Sequence, residues 1–96
     1  MRIGGFRHKG LKRLYETGGG RGVRVDLVPK LRVLLHAIEQ ARSIEQVPKM
    51  PGWKLHPLKG DRRGAWSVWV IGNYRLTFRV DGEDVLDIDL EDYHGK

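Results

Sequence analysis

The second half of the chain alternates apolar and polar side chains, and this pattern constrains the fold more than any other feature of the sequence. A period of two residues is typical of a β-strand that turns one face to a core. The segments that read as strands are residues 53 to 58, 65 to 71, 74 to 80 and 86 to 91. Turn-forming sequences, Gly72-Asn73 and residues 81 to 83, separate the last three. The pattern therefore predicts an antiparallel meander.

The register of the last two strands follows from which of their faces are apolar. If Val80 pairs with Asp84 across a three-residue loop, the apolar side chains of both strands share one face. The apolar pairs are then Phe78 with Leu86 and Leu76 with Ile88. The same register places Arg75 opposite Asp89 on the other face. A two-residue loop would set Leu76 against an aspartate, so we expect a three-residue loop.

The first half of the chain predicts two helices and a short first strand at residues 3 to 6. Apolar residues recur at helical spacing twice, at Leu11, Leu14 and Tyr15 and again at Leu31, Leu34, Leu35 and Ile38. Gly18 is a plausible stop for the first helix. The second is expected from Asp26, as its N-cap, to about Ala41, with Pro29 in the first turn. The sequence thus predicts an α+β fold in which two N-terminal helices pack on a mainly antiparallel sheet.

Length and composition bound the class of protein. The chain of 96 residues has room for one domain, residues 1 to 96. It has no cysteine, which excludes disulfides and thiolate metal sites. No apolar run approaches the ~18 residues of a membrane span, and the N-terminus lacks the apolar stretch of a signal peptide. The sequence therefore predicts a cytoplasmic protein without membrane contact.

Charge is distributed unevenly along the chain. Residues 1 to 80 contain 17 Lys and Arg against 5 Asp and Glu, a net charge of +12, whereas residues 81 to 96 have a net charge of −6. A basic body attracts polyanions, and nucleic acid binds such surfaces through its phosphates. A well-solvated surface explains the same charge equally well. Charge alone leaves both interpretations open.

Histidines near a basic segment suggest phosphoryl chemistry on RNA. Cleavage of RNA without a metal needs a base for the 2′-OH proton, a cation for the phosphorane charge and an acid for the leaving 5′-oxygen. His56 and His94 can form the proton-transfer pair. The cations that can supply the positive charge and bind RNA phosphates are Lys59, Arg62, Arg63 and Arg75. The alternatives are a His56 packed between leucines and a solvated loop at 59 to 63.

The last predicted strand carries a row of carboxylates. Asp87, Asp89 and Glu91 share one face, and such a row is a possible Mg²⁺ platform. Ion pairing with Arg75 and Arg79 on the neighbouring strand explains the same row without a metal. We favour pairing, because the face would otherwise be strongly negative. No metal site is therefore predicted.

Three stretches of the sequence carry a resemblance to a known family. They are FRHKGLKRLYETG near the N-terminus, LHPLKGDRRGAWSVWVIGNYRLTF in the second half and DYH near the end. Together they resemble the HigB-type toxins of bacterial toxin–antitoxin modules, within the RelE/ParE superfamily. The resemblance implies a microbial-ribonuclease-like fold and mRNA cleavage in the ribosomal A site, without a metal or cofactor. It also implies a HigA-type helix-turn-helix antitoxin, with operator DNA bound only through the toxin–antitoxin complex.

The resemblance also implies a set of functional residues. Matching the motif places them at His56, Asp92, Tyr93 and His94, with Lys59 and Arg75 as assisting cations. Asp92 is expected to orient or assist one histidine, and Tyr93 to stack on a base or assist proton transfer. An extended strand would project Asp92 and His94 to the core side and Tyr93 to the other. All three can meet one substrate only if the strand ends or bulges near Glu91.

A second interpretation keeps the fold and changes the activity. Superfamily relatives that poison gyrase have this fold and lack the histidine set, so a non-catalytic, ParE-like module that binds a protein target is the alternative. An ordinary polar tail also explains the residues at the C-terminus. The combination of His56 with the terminal DYH favours the endoribonuclease.

Overall fold

The computed structural model describes residues 1 to 93 and shows two α-helices and one five-stranded sheet. In chain order the elements are β1 (Arg2–Ile3), α1 (Lys9–Thr17), α2 (Val28–Gln40), β2 (His56–Pro57), β3 (Ala65–Trp69), β4 (Tyr74–Asp81) and β5 (Asp84–Asp92). Three 3₁₀ turns lie at Val25–Leu27, Ile44–Gln46 and Gly60–Arg62. The predicted α+β class is confirmed. None of the helices described is both long and apolar enough to cross a membrane.

The sheet has the strand order β1-β5-β4-β3-β2. Strands β2 to β5 are antiparallel neighbours in sequence order, so the predicted meander is confirmed. Strand β1 pairs in parallel with β5, which makes the sheet mixed. The first strand is only two residues long, although Phe6 forms a further bridge to Ile88. Gly4 and Gly5 lie between these two pairings. Glycine weakens a strand because it has no side chain to pack.

The strand expected at 53 to 58 is also only two residues long. Lys54 has a φ of +52°, which breaks the extended backbone before β2 begins. Two hydrogen bonds still tie the flanking residues to β3, from the Trp69 N–H to the Trp53 carbonyl at 2.7 Å and from the Leu58 N–H to the Ala65 carbonyl at 2.9 Å. The sheet edge that carries His56 is therefore held by few ladder bonds.

The predicted ends of both helices are close to the observed ones, whereas the predicted start of α2 is not. Helix α1 is followed by Gly18, which has a left-handed φ of +79°. Its start is capped by His8, whose Nδ1 accepts a hydrogen bond from the Leu11 N–H at 3.1 Å. The proline of α2 lies in its first turn, as predicted. The expected N-cap, Asp26, is wrong, because Asp26 lies in a 3₁₀ turn and forms an ion pair with Arg24.

Side chains from both helices and from three strands form one buried cluster. Its fully buried members include Leu11, Leu31, Leu34 and Ile38 from the helices and Val68, Leu76, Phe78, Val85 and Ile88 from the strands. We call the face of the sheet that carries Leu76 and Phe78 the core face. The opposite face, which carries Arg75 and Thr77, is the outer face, because successive residues of a strand point to opposite sides.

Strand β5 contains a β-bulge that the sequence analysis did not predict. The pairs that flank it are Arg79 with Leu86 and Thr77 with Asp89. Phe78 therefore lies opposite two residues, Asp87 and Ile88. Asp87 has a φ of +54°, in the left-handed region that non-glycine residues rarely adopt.

The bulge overturns the predicted register. The hairpin closes at Asp81 and Asp84 across a two-residue loop. The expected pairings that are wrong are Val80 with Asp84, Phe78 with Leu86, Leu76 with Ile88 and Arg75 with Asp89. Val85 takes the place of Leu86 in the core, and Leu86 lies on the outer face. The extra residue of the bulge shifts the alternation of β5 by one position. A two-residue turn is therefore compatible with apolar side chains on the core face beyond the bulge.

Candidate active site

The outer face holds a row of paired residues that crosses four strands. From β2 to β5 the row consists of His56, Ser67, Thr77 and Asp89. Directly paired residues of antiparallel strands point to the same side, so His56 lies on the outer face. With strands ~4.8 Å apart, His56 is about 10 Å from Thr77 across the sheet. Ser67 and Thr77 are only 1% and 2% exposed, so another part of the chain covers them.

His56 is exposed at the edge of the sheet and has a defined tautomer. Its Nδ1 lies 2.6 Å from the carbonyl oxygen of Lys54. A carbonyl oxygen only accepts, so Nδ1 carries the proton and donates it to this hydrogen bond. Nε2 is then the nitrogen that can take up or release a proton. The packed alternative for His56 is wrong, because its side chain is exposed.

Arg62 reaches across the outer face and pairs with Glu91 on β5. Arg62 Nη1 donates to Glu91 Oε1 at 2.9 Å and Nη2 donates to Oε2, so the contact is bidentate. Thr77 Oγ1 donates to the same Oε2 at 2.6 Å. The hydrogen bond from Arg62 lowers the pKa of Glu91 below its ordinary value, assisted by Thr77 and partly opposed by burial. The same bond raises the pKa of Arg62, which is thus not part of a freely solvated loop.

A cleft of about 220 Å³ lies beside this ion pair, lined by three arginines and four carboxylates. Asp87 Oδ1 lies 3.9 Å from Arg7 Nε, and Asp87 Oδ2 lies 3.7 Å from Arg79 Nε. Pairing of the acidic row with Arg79 is therefore confirmed, whereas Arg75 lies opposite Glu91 and not opposite Asp89. Within residues 1 to 93, no group of three or more His, Asp and Glu side chains is placed to hold a metal ion.

Arg75 and Tyr93 lie together on the outer face, where β4 begins and β5 ends. The Arg75 guanidinium is 5.7 Å from the centre of the Tyr93 ring, within the range of a cation–π contact. The Tyr93 N–H donates to the Asn73 carbonyl at 2.7 Å, which fixes the backbone beyond the strand. The Tyr93 side chain is 37% exposed. Such a pair can offer an aromatic surface to a base and a cation to the adjoining phosphate.

Asp92 projects to the other side of the sheet. It pairs with Tyr74, and both residues line a pocket of about 340 Å³ together with Arg24 and Asn73. Arg24 lies 5.2 Å from the centre of the Tyr74 ring and donates to its hydroxyl at 3.4 Å. Strand β5 stays extended through Asp92, and its bulge lies five residues earlier, at Asp87. Asp92 is therefore not turned toward Tyr93.

The structure brings some of the predicted residues together and separates others. The outer face carries His56, Arg62, Arg75 and Tyr93. Lys59 and Arg63 are exposed in the connection between β2 and β3. Asp92 lies at the end of the core face, and His94 lies outside the described residues.

Sequence reasoning missed two contacts that shape the site. Arg62 and Glu91 are 29 residues apart, and no periodicity links them. The stacking of Arg24 on Tyr74 spans 50 residues. The alternating carboxylates did mark Glu91 as a residue that needs a cation, but they favoured a cation on β4.

A family model described as the RelE-like toxin of the type II toxin-antitoxin system HigB matches residues 4 to 94 of the chain. The chain belongs to this family. Endoribonuclease HigB of Proteus vulgaris is 44% identical over 92 residues, which cover 96% of this chain and 99% of that protein. A solved structure, the YoeB/ParE toxin from Agrobacterium tumefaciens, has a TM-score of 0.59 at 21% identity and covers 95% of this chain and 99% of that chain. This last likeness shows a shared fold.

Membership of the HigB-like toxin family confirms the resemblance carried by the three sequence stretches. The family match extends through residue 94, so it includes the whole DYH motif. A member of a type II toxin–antitoxin family has an antitoxin as its partner.

Proposed function

We propose that this chain is a ribosome-dependent endoribonuclease that cleaves mRNA and arrests growth until an antitoxin neutralises it. The observation that carries the proposal is the 44% identity to Endoribonuclease HigB over 96% of the chain. The outer face supports it, because one surface combines an exposed histidine of defined tautomer with the Arg75–Tyr93 pair. These are the group types that RNA cleavage requires.

In the proposed reaction the phosphoryl group is transferred to the neighbouring 2′-oxygen of the RNA. A base takes the 2′-OH proton, the 2′-oxygen attacks phosphorus, and the 5′-oxygen leaves with a proton from an acid. The products are a 2′,3′-cyclic phosphate and a 5′-hydroxyl, without a metal or cofactor. His56, through Nε2, and His94 form the acid and base pair, and either histidine can take either role in this scheme.

The remaining groups bind the RNA and stabilise the phosphorane. Arg75, with Lys59 and Arg63, neutralises the charge that develops on the phosphorane. Tyr93 stacks on a base or assists proton transfer beside Arg75. Asp92 orients or assists a histidine, and it does so from the core side at the end of β5. In this scheme the RNA therefore contacts the end of β5 as well as the outer face.

The proposed partners follow from the family and from the charge of the chain. They are a HigA-type helix-turn-helix antitoxin, and the ribosome with its mRNA in the cytoplasm. Operator DNA is bound only by the toxin–antitoxin complex. The net charge of +12 over residues 1 to 80 supports contact with RNA phosphates.

The test replaces each proposed proton-transfer group by glutamine, which keeps size and hydrogen bonding but does not titrate. We expect His56→Gln and His94→Gln each to slow mRNA cleavage by about 10²- to 10⁴-fold. His36→Gln, at an exposed histidine of α2, is the matched control and should cleave at the parental rate. Cleavage is measured by primer extension after a pulse of expression, and with purified protein in the presence and absence of ribosomes.

Three outcomes would contradict parts of the proposal. Parental cleavage by both variants would remove the two histidines from the reaction. Equal cleavage with and without ribosomes would remove the ribosome dependence. Growth arrest with intact mRNA and inhibited gyrase would favour the non-catalytic, ParE-like alternative.

A further inference from the structure

The connection between β2 and β3 folds back over the outer face of the sheet. Its 3₁₀ turn carries Arg62, whose partner Glu91 lies on β5, beyond β3 and β4 in the strand order. A side chain that spans this width covers the strands in between. The crossing accounts for the burial of Thr77, which donates to the same Glu91 carboxylate as Arg62.

The segment before the turn is weakly held by the sheet itself. Strand β2 is an edge strand of two residues, and it contains His56. Beyond it, two arginine contacts fix the connection: Arg62 binds Glu91, and Arg79 Nη1 donates to the Arg63 carbonyl at 3.0 Å. His56 is placed by its backbone pairing with Ser67, whereas Lys59 follows the last of these ladder bonds, at Leu58, so its position depends on the side-chain contacts.

Arg62 is poorly placed to bind an RNA phosphate. Two of its guanidinium nitrogens already donate to both oxygens of one carboxylate, whose remaining hydrogen bond comes from Thr77. The Glu91 side chain is 23% exposed. A phosphate that captured Arg62 would leave this carboxylate without its cation, which is costly for a partly buried charge. The negative charge of Glu91 would also repel the phosphate.

We propose that Arg62 and Glu91 form a latch that positions the connection from Lys59 to Arg63 beside His56 for RNA cleavage, with Glu91 as a positioning residue. This inference rests on the proposed endoribonuclease function. It separates Arg62 from the cations that contact RNA, because its charge is used within the protein.

Steady-state kinetics distinguish the latch from phosphate binding, because the two models predict opposite effects of Glu91→Gln. If the latch is correct, Glu91→Gln and Arg62→Gln both lower kcat, by up to about 10²-fold, with little change in KM. If Arg62 binds phosphate, Arg62→Gln raises KM, whereas Glu91→Gln frees the cation and lowers KM. The substrate is a reporter mRNA on ribosomes, used at increasing concentration.

Reversing both charges of the ion pair should restore kcat if the pair positions the connection. It should not restore kcat if the single substitutions act only by disturbing the local structure. The double variant Arg62→Glu with Glu91→Arg restores the ion pair in the opposite sense and should recover most of the lost kcat. Asp84→Asn is the matched control, because it removes a carboxylate from the exposed ion pair with Arg2 on the far edge of the sheet. Its cleavage rate should equal that of the parent.

Limited digestion with trypsin measures the latch without any RNA. Glu91→Gln keeps Lys59, Arg62 and Arg63 as cleavage sites, so faster digestion at these residues reports opening of the connection. If the parent cleaves no mRNA, the proposed function fails while digestion still decides whether the latch exists. Parental digestion of Glu91→Gln overturns the latch, and faster digestion with parental kcat overturns its role in positioning.

Discussion

Arg75 is a candidate site residue whose charge can be removed without changing a core side chain. It points to the outer face and contacts Tyr93, whereas its neighbour Leu76 is fully buried. We expect Arg75→Ala to slow mRNA cleavage by about 10²-fold, as removal of a group that stabilises developing charge does. The free energy of unfolding should change by about 0.5 kcal/mol or less. Arg2→Ala, which removes the same charge from a distant exposed ion pair, is the control for net charge.

Cleavage kinetics and urea unfolding of the Arg75 and Arg2 variants measure the two quantities separately. Equal activity of Arg75→Ala and the parent would leave Arg75 as a surface residue that only contacts Tyr93. A large loss of stability with proportional loss of activity would assign it to the fold.

At the residue scale, the sequence predicted which face of the sheet a side chain occupies better than it predicted which residue that side chain contacts. The placement of Arg75 and Tyr93 on one face, with Asp92 on the other, needed only the two-residue period of a strand. The partner of Arg62 could not be read in this way, because it depends on how a connection folds back over finished strands. The proton-transfer role predicted for His94 stays a prediction, because that residue lies outside the described part of the chain.

The bulge in β5 is the element whose conformation can be tested by mutation. Asp87 has a φ of +54°, and both of its ion pairs are lost in Asp87→Gly and in Asp87→Val alike. In a regular strand valine is more favourable than glycine by up to about 1 kcal/mol. At a left-handed position the order is reversed, because a β-branched residue is strained there by about 1 to 3 kcal/mol.

We therefore expect Asp87→Val to be less stable than Asp87→Gly by about 1 kcal/mol or more, measured by urea unfolding of both proteins. Asp89→Val against Asp89→Gly is the matched pair at a residue that lies in regular pairing, and there valine should be the more stable. The same order at both positions would mean that the bulge does not constrain residue 87.

At the element scale, periodicity predicted the helices and the meander because each depends on local patterns of apolar residues. It failed at the hairpin between β4 and β5. Two registers satisfied the pattern, one with a three-residue loop and one with a shorter loop and a bulge, and alternation alone does not distinguish them. It also failed at Asp26, because a capping residue and an aspartate in a 3₁₀ turn look alike in sequence.

At the scale of the whole molecule, the fold brings the acidic last strand among the basic residues. Strand β5 lies between β1 and β4, and its carboxylates contact arginines from separate parts of the chain. These arginines are Arg2, Arg7, Arg62 and Arg79. Part of the net charge of +12 in residues 1 to 80 is therefore compensated within the protein. Residues such as Lys59 and Arg63, which are exposed, keep their charge for a polyanionic partner.

Acid unfolding tests this internal compensation through Glu91. Its pKa is lower in the folded protein than its ordinary value of 4.5, chiefly because Arg62 donates to the carboxylate. A lowered folded pKa stabilises the protein above the unfolded pKa, and the contribution is lost as the pH falls through the folded value. Glu91→Gln lacks the contribution at every pH. We expect it to be less stable than the parent by about 1 to 2 kcal/mol near pH 7, with the difference shrinking as the pH falls below about 4.5.

Urea unfolding of the parent and Glu91→Gln from about pH 7 to about pH 3 measures this difference. Asp84→Asn is again the control, and because its ion pair with Arg2 is exposed, we expect it to change stability less than Glu91→Gln does. If the difference in stability between the parent and Glu91→Gln disappears in acid, its physical cause is the ion pair between the connection and β5. A gap that stays constant over the whole range would show that Glu91 stabilises the fold through shape and neutral hydrogen bonds, and the carboxylate charge would then have no part in holding the connection over the sheet.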